Sequence, residues 1–344
     1  MKINELVTVK IEAENQKEDA VYASPEQSPF KIYGVFREND GEFHRMPLAV
    51  AERVSLGVQR LSTNTAGGRI KFKTDSPYVS VYVVLGKYED RDHFTKLGYC
   101  GMDIYDGTAY KGSFRPGPKH LDTYHATIEL GSGEHEVTIN MPLYSNVREV
   151  YVGLKDGACV KEPREYKYAK EHPVVFYGSS ITQGGCASRP GMSYQAILER
   201  ELDFDYVNLG FSGNAKAEDV MIDYIAGLDM SVFVYDYDHN APDPEHLAAT
   251  HEELFLAVRK THPDIPVIFM SRPSFIIERR REIIETTYKN AVERGDKRVY
   301  IVKPAELNKK DATVDGCHPT DLGFYYMASD LSPVLKAALE DSEK

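Results

Sequence analysis

The sequence predicts a mixed α/β chain: an all-β sandwich of jelly-roll type over residues 1–165, then a parallel-sheet α/β domain over 170–344. Three observations carry this expectation. Up to about residue 160 the apolar residues fall in short strand-like runs punctuated by Gly, Pro and Asn, with few 3.6-residue periods. Beyond it, five short apolar runs alternate with stretches of helical spacing, the pattern of βα units around a parallel sheet. The 344 residues, 42% apolar and 27% charged, hold enough apolar material for two cores.

Each element has its own reason. Tyr78–Leu85 (YVSVYVVL) is rich in Val and Tyr, which suit a pleated, half-buried surface. Ala126–Leu130 and His135–Asn140 flank Gly-Ser-Gly, which reads as a hairpin. Val147–Leu154 reads as a further strand, and the charged stretch Lys161–Lys170 as the boundary. In the second half, Val174–Tyr177, Tyr206–Leu209, Val232–Tyr235, Val267–Met270 and Val299–Val302 suit buried parallel strands. Between or after them, Tyr194 with Ile197 and Leu198, Leu247 with Leu254, Phe255 and Val258, and Phe324 to Leu339 fall on helix faces.

Composition excludes several classes. The four cysteines, at 100, 159, 186 and 317, form no C-x-x-C pair, so neither a disulfide scaffold nor a zinc ribbon is expected. The net charge of −12 divides into −3 for residues 1–160 and −9 for the rest, which argues against nucleic acid as a partner. The opening MKINELVTVKIEAENQ lacks a signal-peptide core, and no window offers a membrane span, so a cytoplasmic chain without membrane contact is expected. The sequence leaves homo-oligomerisation open. Its 23 tyrosines and absent tryptophan fit a β-rich core better than a dedicated aromatic binding surface.

In an open parallel sheet, ligands bind beyond the carboxyl ends of the strands. The five segments there are Gly178–Gly184, Asn208–Asn214, Asp236–Asn240, Ser271–Pro273 and Asp315–Pro319. Together they hold a hydroxyl, a Gly-rich turn, an amide, a guanidinium, a carboxylate and an imidazole, a set able to perform acyl transfer. A serine is a weak nucleophile that needs an adjacent base, and the base an orienting carboxylate. Ser180, His318 and Asp315 fill these roles, the last two tethered three residues apart. The backbone N–H groups of Ser180 and Gly213 and the side-chain amide of Asn240 can hold an oxyanion. The order Ser…Asp…His is that of α/β-hydrolases, but Ser180 lacks the G-x-S-x-G surroundings of a nucleophile elbow.

These blocks resemble the SGNH (GDSL-type) hydrolase family. Its Gly-Asp-Ser block is similar to Gly178-Ser179-Ser180, its glycine block to Asn208–Asn214, its asparagine block to Asp236–Asn240, and its Asp-x-x-His-Pro block to Asp315–Pro319. The resemblance covers residues from about 172 to the end. It implies a flavodoxin-like sheet and a Ser180–His318–Asp315 triad with an oxyanion hole from Ser180, Gly213 and Asn240. Two departures stand out: Ser179 replaces the family's usual Asp, and the asparagine block lacks the Gly-x-Asn-Asp form. The run GSSITQGGCASRPGMSY resembles a branch that carries an N-terminal β-sandwich with a Gly-x-Asp-Leu-Tyr element, matched by Gly101-Met102-Asp103-Ile104-Tyr105 with Ile for Leu.

That resemblance implies a serine esterase for short acyl groups, above all O-acetyl groups on a carbohydrate, with a small-molecule or oligosaccharide ester as partner. The alternatives are a lipid esterase, lysophospholipase or thioesterase, and a carbohydrate-binding protein with an inactive hydrolase domain. No metal or organic cofactor is expected. Asp236, Asp238 and His239 read as a pocket wall before they read as a metal site. Arg189 and Arg272 fall beside the expected pocket as substrate contacts, set against plain salt bridges. Cys186 and Cys317 are expected to be structural thiols, because Cys317, adjacent to His318 on an extended loop, is poorly placed to use it as a base.

Overall fold

The computed structural model describes residues 1–88, 91–117, 122–274, 277–303 and 306–343. The chain forms two compact units. The first comprises Met1–Arg45, Thr63–Glu165 and Ser188–Gly191, the second Met46–Ser62, Tyr166–Ala187 and Met192–Lys344.

The first unit holds two antiparallel sheets. In chain order its main strands are β1 (Ala20–Ala23), β2 (Arg69–Thr74), β3 (Tyr78–Tyr88), β4 (Met102–Asp106), β5 (Ala109–Phe114), β6 (Thr123–Glu129), β7 (His135–Asn140) and β8 (Ser145–Lys155). One sheet runs β1-β8-β3-β6 and the other β2-β7-β4-β5, each with a short edge strand beyond its first member. Alternate residues of β3 (Val79, Val81, Val83, Leu85) and of the second sheet (Ile70, Phe72, Ile104, Val137, Ile139) are buried, as period-2 patterning requires when two sheets share one core.

The expected hairpin around Gly131-Ser132-Gly133 does not form. β6 pairs with β3, in register from Thr123↔Val84 to Glu129↔Tyr78, whereas β7 pairs with β2 and β4 in the other sheet. The Gly-Ser-Gly segment is a crossing between sheets. The Leu130 and Gly131 N–H groups both donate to the Pro77 carbonyl, and Gly131 and Gly133 take φ of +93° and +123°. Alternation had placed both strands against the core, and nothing in it chose their partners.

The second unit is built on a five-stranded parallel sheet of β9 (Val174–Gly178), β10 (Tyr206–Gly210), β11 (Val232–Asp236), β12 (Val267–Phe269) and β13 (Val299–Ile301). Its order is β10-β9-β11-β12-β13, the flavodoxin-like 2-1-3-4-5 arrangement, with β9 and β11 flanking the topological switch point. The helices are α1 (Leu48–Val54), α2 (Leu56–Ser62), α3 (Ser180–Gln183), α4 (Tyr194–Leu202), α5 (Asp219–Ala226), α6 (Pro244–Thr261), α7 (Glu278–Glu293) and α8 (Asp321–Ser342). Asp243 caps α6 by accepting from the His246 N–H at 2.7 Å, with Pro244 at the first helical position, and the helix buries Leu247, His251, Leu254, Phe255 and Val258 on one face. Residues 46–62, which the sequence reading counts with the sandwich, belong here: Ala51, Val58 and Leu61 join the core of this unit with Met221, Ile222 and Ile225 of α5. Gly57 lies so close to Asn214 that a Cβ would collide with its side-chain oxygen. Among the described residues no helix is long and apolar enough to cross a membrane.

Candidate active site

The carboxyl ends of β9, β10 and β11 and the loop before α8 supply the site in the second unit. β9 ends at Gly178, and Ser179 caps the short helix α3 by accepting from the Ile181 N–H at 3.2 Å. Ser179 thus supplies, in place of the family's aspartate, the oxygen acceptor that opens this helix. Gly184 ends it in the left-handed conformation, φ +100°. Ser180 is therefore the first residue of α3, and 8% of its surface is exposed.

Ser180 Oγ stands 2.9 Å from His318 Nε2, and His318 Nδ1 stands 2.8 Å from Asp315 Oδ2. The second oxygen, Asp315 Oδ1, accepts from the backbone N–H of His318 at 2.8 Å and of Cys317 at 2.9 Å. The loop closes on itself: the Val314 N–H donates to the His318 carbonyl at 2.8 Å, and the Thr320 N–H to the Ala312 carbonyl at 2.9 Å. Gly316, at φ +81°, allows the tight return. Partial burial pushes the Asp315 carboxyl up, but the His318 N–H, the His318 ring and the Cys317 N–H outweigh it and hold the group at about 2. An ionised Asp315 fixes the His318 proton on Nδ1 and leaves Nε2 as the acceptor for the Ser180 hydroxyl.

The glycine block follows β10. The Phe211 N–H donates to the Gly178 carbonyl at 2.8 Å, and the Ser212 N–H to Gln183 Oε1 at 3.0 Å. Gly213 has φ +71°, and a Cβ built there would meet nothing within 4 Å, so its backbone conformation rather than crowding calls for glycine. Asn240 Oδ1 accepts from the Ala215 N–H at 3.3 Å, which assigns its oxygen and leaves its NH2 for donation.

Beneath the site lie two buried carboxyls. Burial raises Asp238 to about 6 against the Arg272 N–H and the Ser271 hydroxyl, which donate to its Oδ2 at 3.3 and 3.1 Å. Burial raises Asp236 to about 8 against the Thr182 hydroxyl bonded to it. Asp236, Asp238 and His239 thus turn to different partners, His239 Nε2 standing 3.9 Å from Cys317 Sγ. Burial, then the Arg272 charge, lowers His239 to about 3, so its ring stays neutral. Burial also raises the Cys317 thiol above its ordinary value, the opposite of what a nucleophilic cysteine needs. Cys186 is buried.

Arg189 packs in the first unit. Its Nη1 donates to Asp103 Oδ2 at 2.7 Å and to the Tyr105 hydroxyl, and its guanidinium lies 4.0 Å from the Tyr110 ring centroid. Arg272 stays beside the site, its charge acting on both Cys317 and His239. Sequence reasoning assigned no role to Thr182 and read Asp236 as part of a pocket wall before a metal ligand. The parallel pairing Gly178↔Asp236, which sets that carboxyl against the turn holding Ser180, emerges only in the fold.

Comparison with known proteins follows the same division. Residues 171–336 match the model of the GDSL-like lipase/acylhydrolase family, and residues 20–160 match the model of the N-terminus of SGNH hydrolase-type esterases, GxDLY. A GDSL-like lipase candidate from Bacteroides ovatus ATCC 8483 is 27% identical, with a TM-score of 0.82 over 93% of this chain and 98% of its own. The salicylyl-acyltransferase SsfX3 of a tetracycline biosynthetic pathway is 17% identical, with a TM-score of 0.76 over 94% of this chain and 100% of its own. The acetyl xylan esterase Est2A of the rumen bacterium Butyrivibrio proteoclasticus shares the fold at 11% identity, with a TM-score of 0.59 over 93% and 98% of the two chains. Among curated proteins no sequence matches the chain. With its α/β sheet order, its four ordered blocks and both family models in register, the chain belongs to the GDSL-type (SGNH) hydrolases, in the branch that carries a GxDLY domain ahead of the hydrolase domain.

Proposed function

We propose that the chain is a serine esterase that hydrolyses short acyl esters, with O-acetyl groups on a carbohydrate as its substrate class. The observation that carries this reading is the relay Ser180 Oγ–His318 Nε2 at 2.9 Å and His318 Nδ1–Asp315 Oδ2 at 2.8 Å. In the reaction, Ser180 Oγ attacks the ester carbonyl while His318 Nε2 takes its proton. The N–H groups of Ser180 and Gly213 and the NH2 of Asn240 receive the oxyanion. Collapse breaks the bond to the alcohol oxygen, which leaves with the proton from His318. Water, deprotonated by the same imidazole, then attacks the acyl-Ser180 ester and releases the acid. Asp315, ionised throughout, stabilises the imidazolium formed in each half-reaction.

The acetyl-carbohydrate part rests on the chain's branch and on the likeness in fold to an acetyl xylan esterase. The test is acetate release from a panel of acetylated oligosaccharides, with p-nitrophenyl esters from C2 to C8 and the Ser180→Ala variant in parallel. The reading expects Ser180-dependent acetate release and kcat/KM falling beyond about C4. An apolar slot would add roughly 0.8 kcal/mol per buried methylene, so preference for C8 would move the assignment to lipid esters. Full activity in Ser180→Ala would overturn the nucleophile.

A further inference from the structure

Asp236 sits at the end of β11, buried, with its carboxyl against the turn that presents Ser180. Gly178 and Asp236 are register partners, and a Cβ on Gly178 would collide with both Asp236 Oδ1 and Thr182 Oγ1. The missing Cβ is the space the carboxyl fills. Donors act on that carboxyl from either side of the nucleophile: the Thr182 hydroxyl bonds to its Oδ1, and the Ser179 backbone N–H favours its charged form. Thr182 is tied further, since its carbonyl accepts from Gln195 Nε2 and Asn208 Nδ2, each at 2.7 Å. The triad and oxyanion groups make no use of this carboxyl, yet a buried polar group of this kind is retained at a cost unless it holds something.

We propose that Asp236 is a positioning residue for catalysis, clamping Ser179 and Thr182 so that the hydroxyl and N–H of Ser180 keep their reactive geometry. The position before the nucleophile, where the family carries an aspartate, holds Ser179 here, and an acid reaches the same turn from the neighbouring strand. The proposal rests on the reading of Ser180 as nucleophile. It also has a pH signature. The titratable groups acting on Asp236 are Asp238, from the turn after β11, and the high-pKa phenol of Tyr194 on α4. With no cation among its partners in the described residues, burial lifts Asp236 to about 8, so it grips the turn as the neutral acid below that pH. Ionisation puts negative charge one residue from the N–H that receives the oxyanion, and like charges oppose its formation.

The experiment measures p-nitrophenyl acetate turnover from pH 6 to 9 for wild type, Asp236→Asn, Asp236→Ala, Thr182→Val and Ser180→Ala. The expected result is a wild-type alkaline fall through about pH 8 that Asp236→Asn lacks. Asp236→Ala should lose at least tenfold in kcat with KM little changed, Asp236→Asn should recover part of that loss, and Thr182→Val should fall between. Should Asp236→Ala not fold, the Asn profile decides. Superimposable wild-type and Asp236→Asn profiles, or wild-type kcat in Asp236→Ala, overturn the proposal while Ser180-dependent activity stands. Activity that survives Ser180→Ala overturns the underlying reading as well.

Discussion

Asp103, the acidic residue of the Gly101–Tyr105 motif, is wholly buried and holds Arg189 through one carboxylate oxygen at 2.7 Å. The same oxygen accepts the Gly191 N–H at 2.9 Å, while the other accepts Asn140 Nδ2 at 2.8 Å. The motif's aspartate is thus the receptor for the segment Ser188–Gly191, which Thr95 also grips through the Ser188 carbonyl at 2.8 Å. Removing one partner of a buried pair leaves the other charge poorly solvated, at a cost of about 3–5 kcal/mol. Asp103→Ala should therefore lower the denaturant midpoint of the first unit strongly. Arg189→Ala should cost less, because Asp103 keeps Asn140 and the Gly191 N–H. Equal, small losses in a double-mutant cycle would mean that the pair contributes little to this unit.

Asp315 is expected to act by orientation. Its carboxyl lies at about 2, so it stays ionised throughout the range in which an esterase is assayed and adds no acid limb of its own above pH 3. Because the folded value is depressed below the ordinary 3.9, its stabilisation is present above about pH 4 and is lost as pH falls through 2. Asp315→Asn removes the charge that holds the His318 proton on Nδ1 and, with an NH2 able to face the ring, admits the wrong tautomer. The expected loss is roughly 10²–10⁴ in kcat, with kcat and kcat/KM falling together, read by steady-state kinetics. Unchanged kcat would reduce the triad to a Ser180–His318 dyad.

Asp238 should make stability depend on pH with the opposite sign. Burial raises its folded value to about 6, so between pH 4 and 6 the folded state binds more protons than the unfolded state. Stability contributed by the neutral acid is full below pH 4 and declines until pH 6, by roughly 2–3 kcal/mol at 1.36 kcal/mol per pH unit. Asp238→Asn can still accept from Ser271 and the Arg272 N–H, and should remove this decline. Thermal or urea unfolding between pH 4 and 7 measures it; parallel wild-type and variant curves would rule the titration out.

The parts of this molecule legible in the sequence are those whose signal is local. Each parallel strand shows as an apolar run, and Asp315 and His318, three residues apart, share one loop. The misread parts depend on partners far along the chain. β6 and β7 share a turn yet lie in different sheets, because side-chain alternation selects a face and not a neighbour. Residues 46–62 leave a β-rich segment to join the α/β core, and only the later apolar face of α5 explains their burial. Asp236 resembles any acid at a strand end until the parallel register sets it over Gly178.

Gly213 offers a test that separates a turn from an oxyanion donor. Its φ of +71° is a conformation that costs a side-chain-bearing residue about 1–2 kcal/mol, and among the described residues no atom beyond its own chain neighbours lies within 4 Å of where a Cβ would stand. Gly213→Ala should therefore carry only the backbone penalty, with no steric collision to disturb the fold. If Gly213 were a turn residue alone, stability would fall by that amount and turnover would stay put. If its N–H receives the oxyanion, relaxation of φ tilts the donor away, and misaligning such a donor removes part of the 10²–10³ in kcat that one oxyanion contact supplies. The expected result is a stability loss near 1 kcal/mol together with at least a tenfold fall in kcat at nearly constant KM. Asparagine tolerates positive φ better than alanine, so Gly213→Asn should lose less of both. A stability loss in Gly213→Ala without a kcat loss would remove Gly213 from the oxyanion hole and leave the Ser180 N–H and Asn240 as its donors.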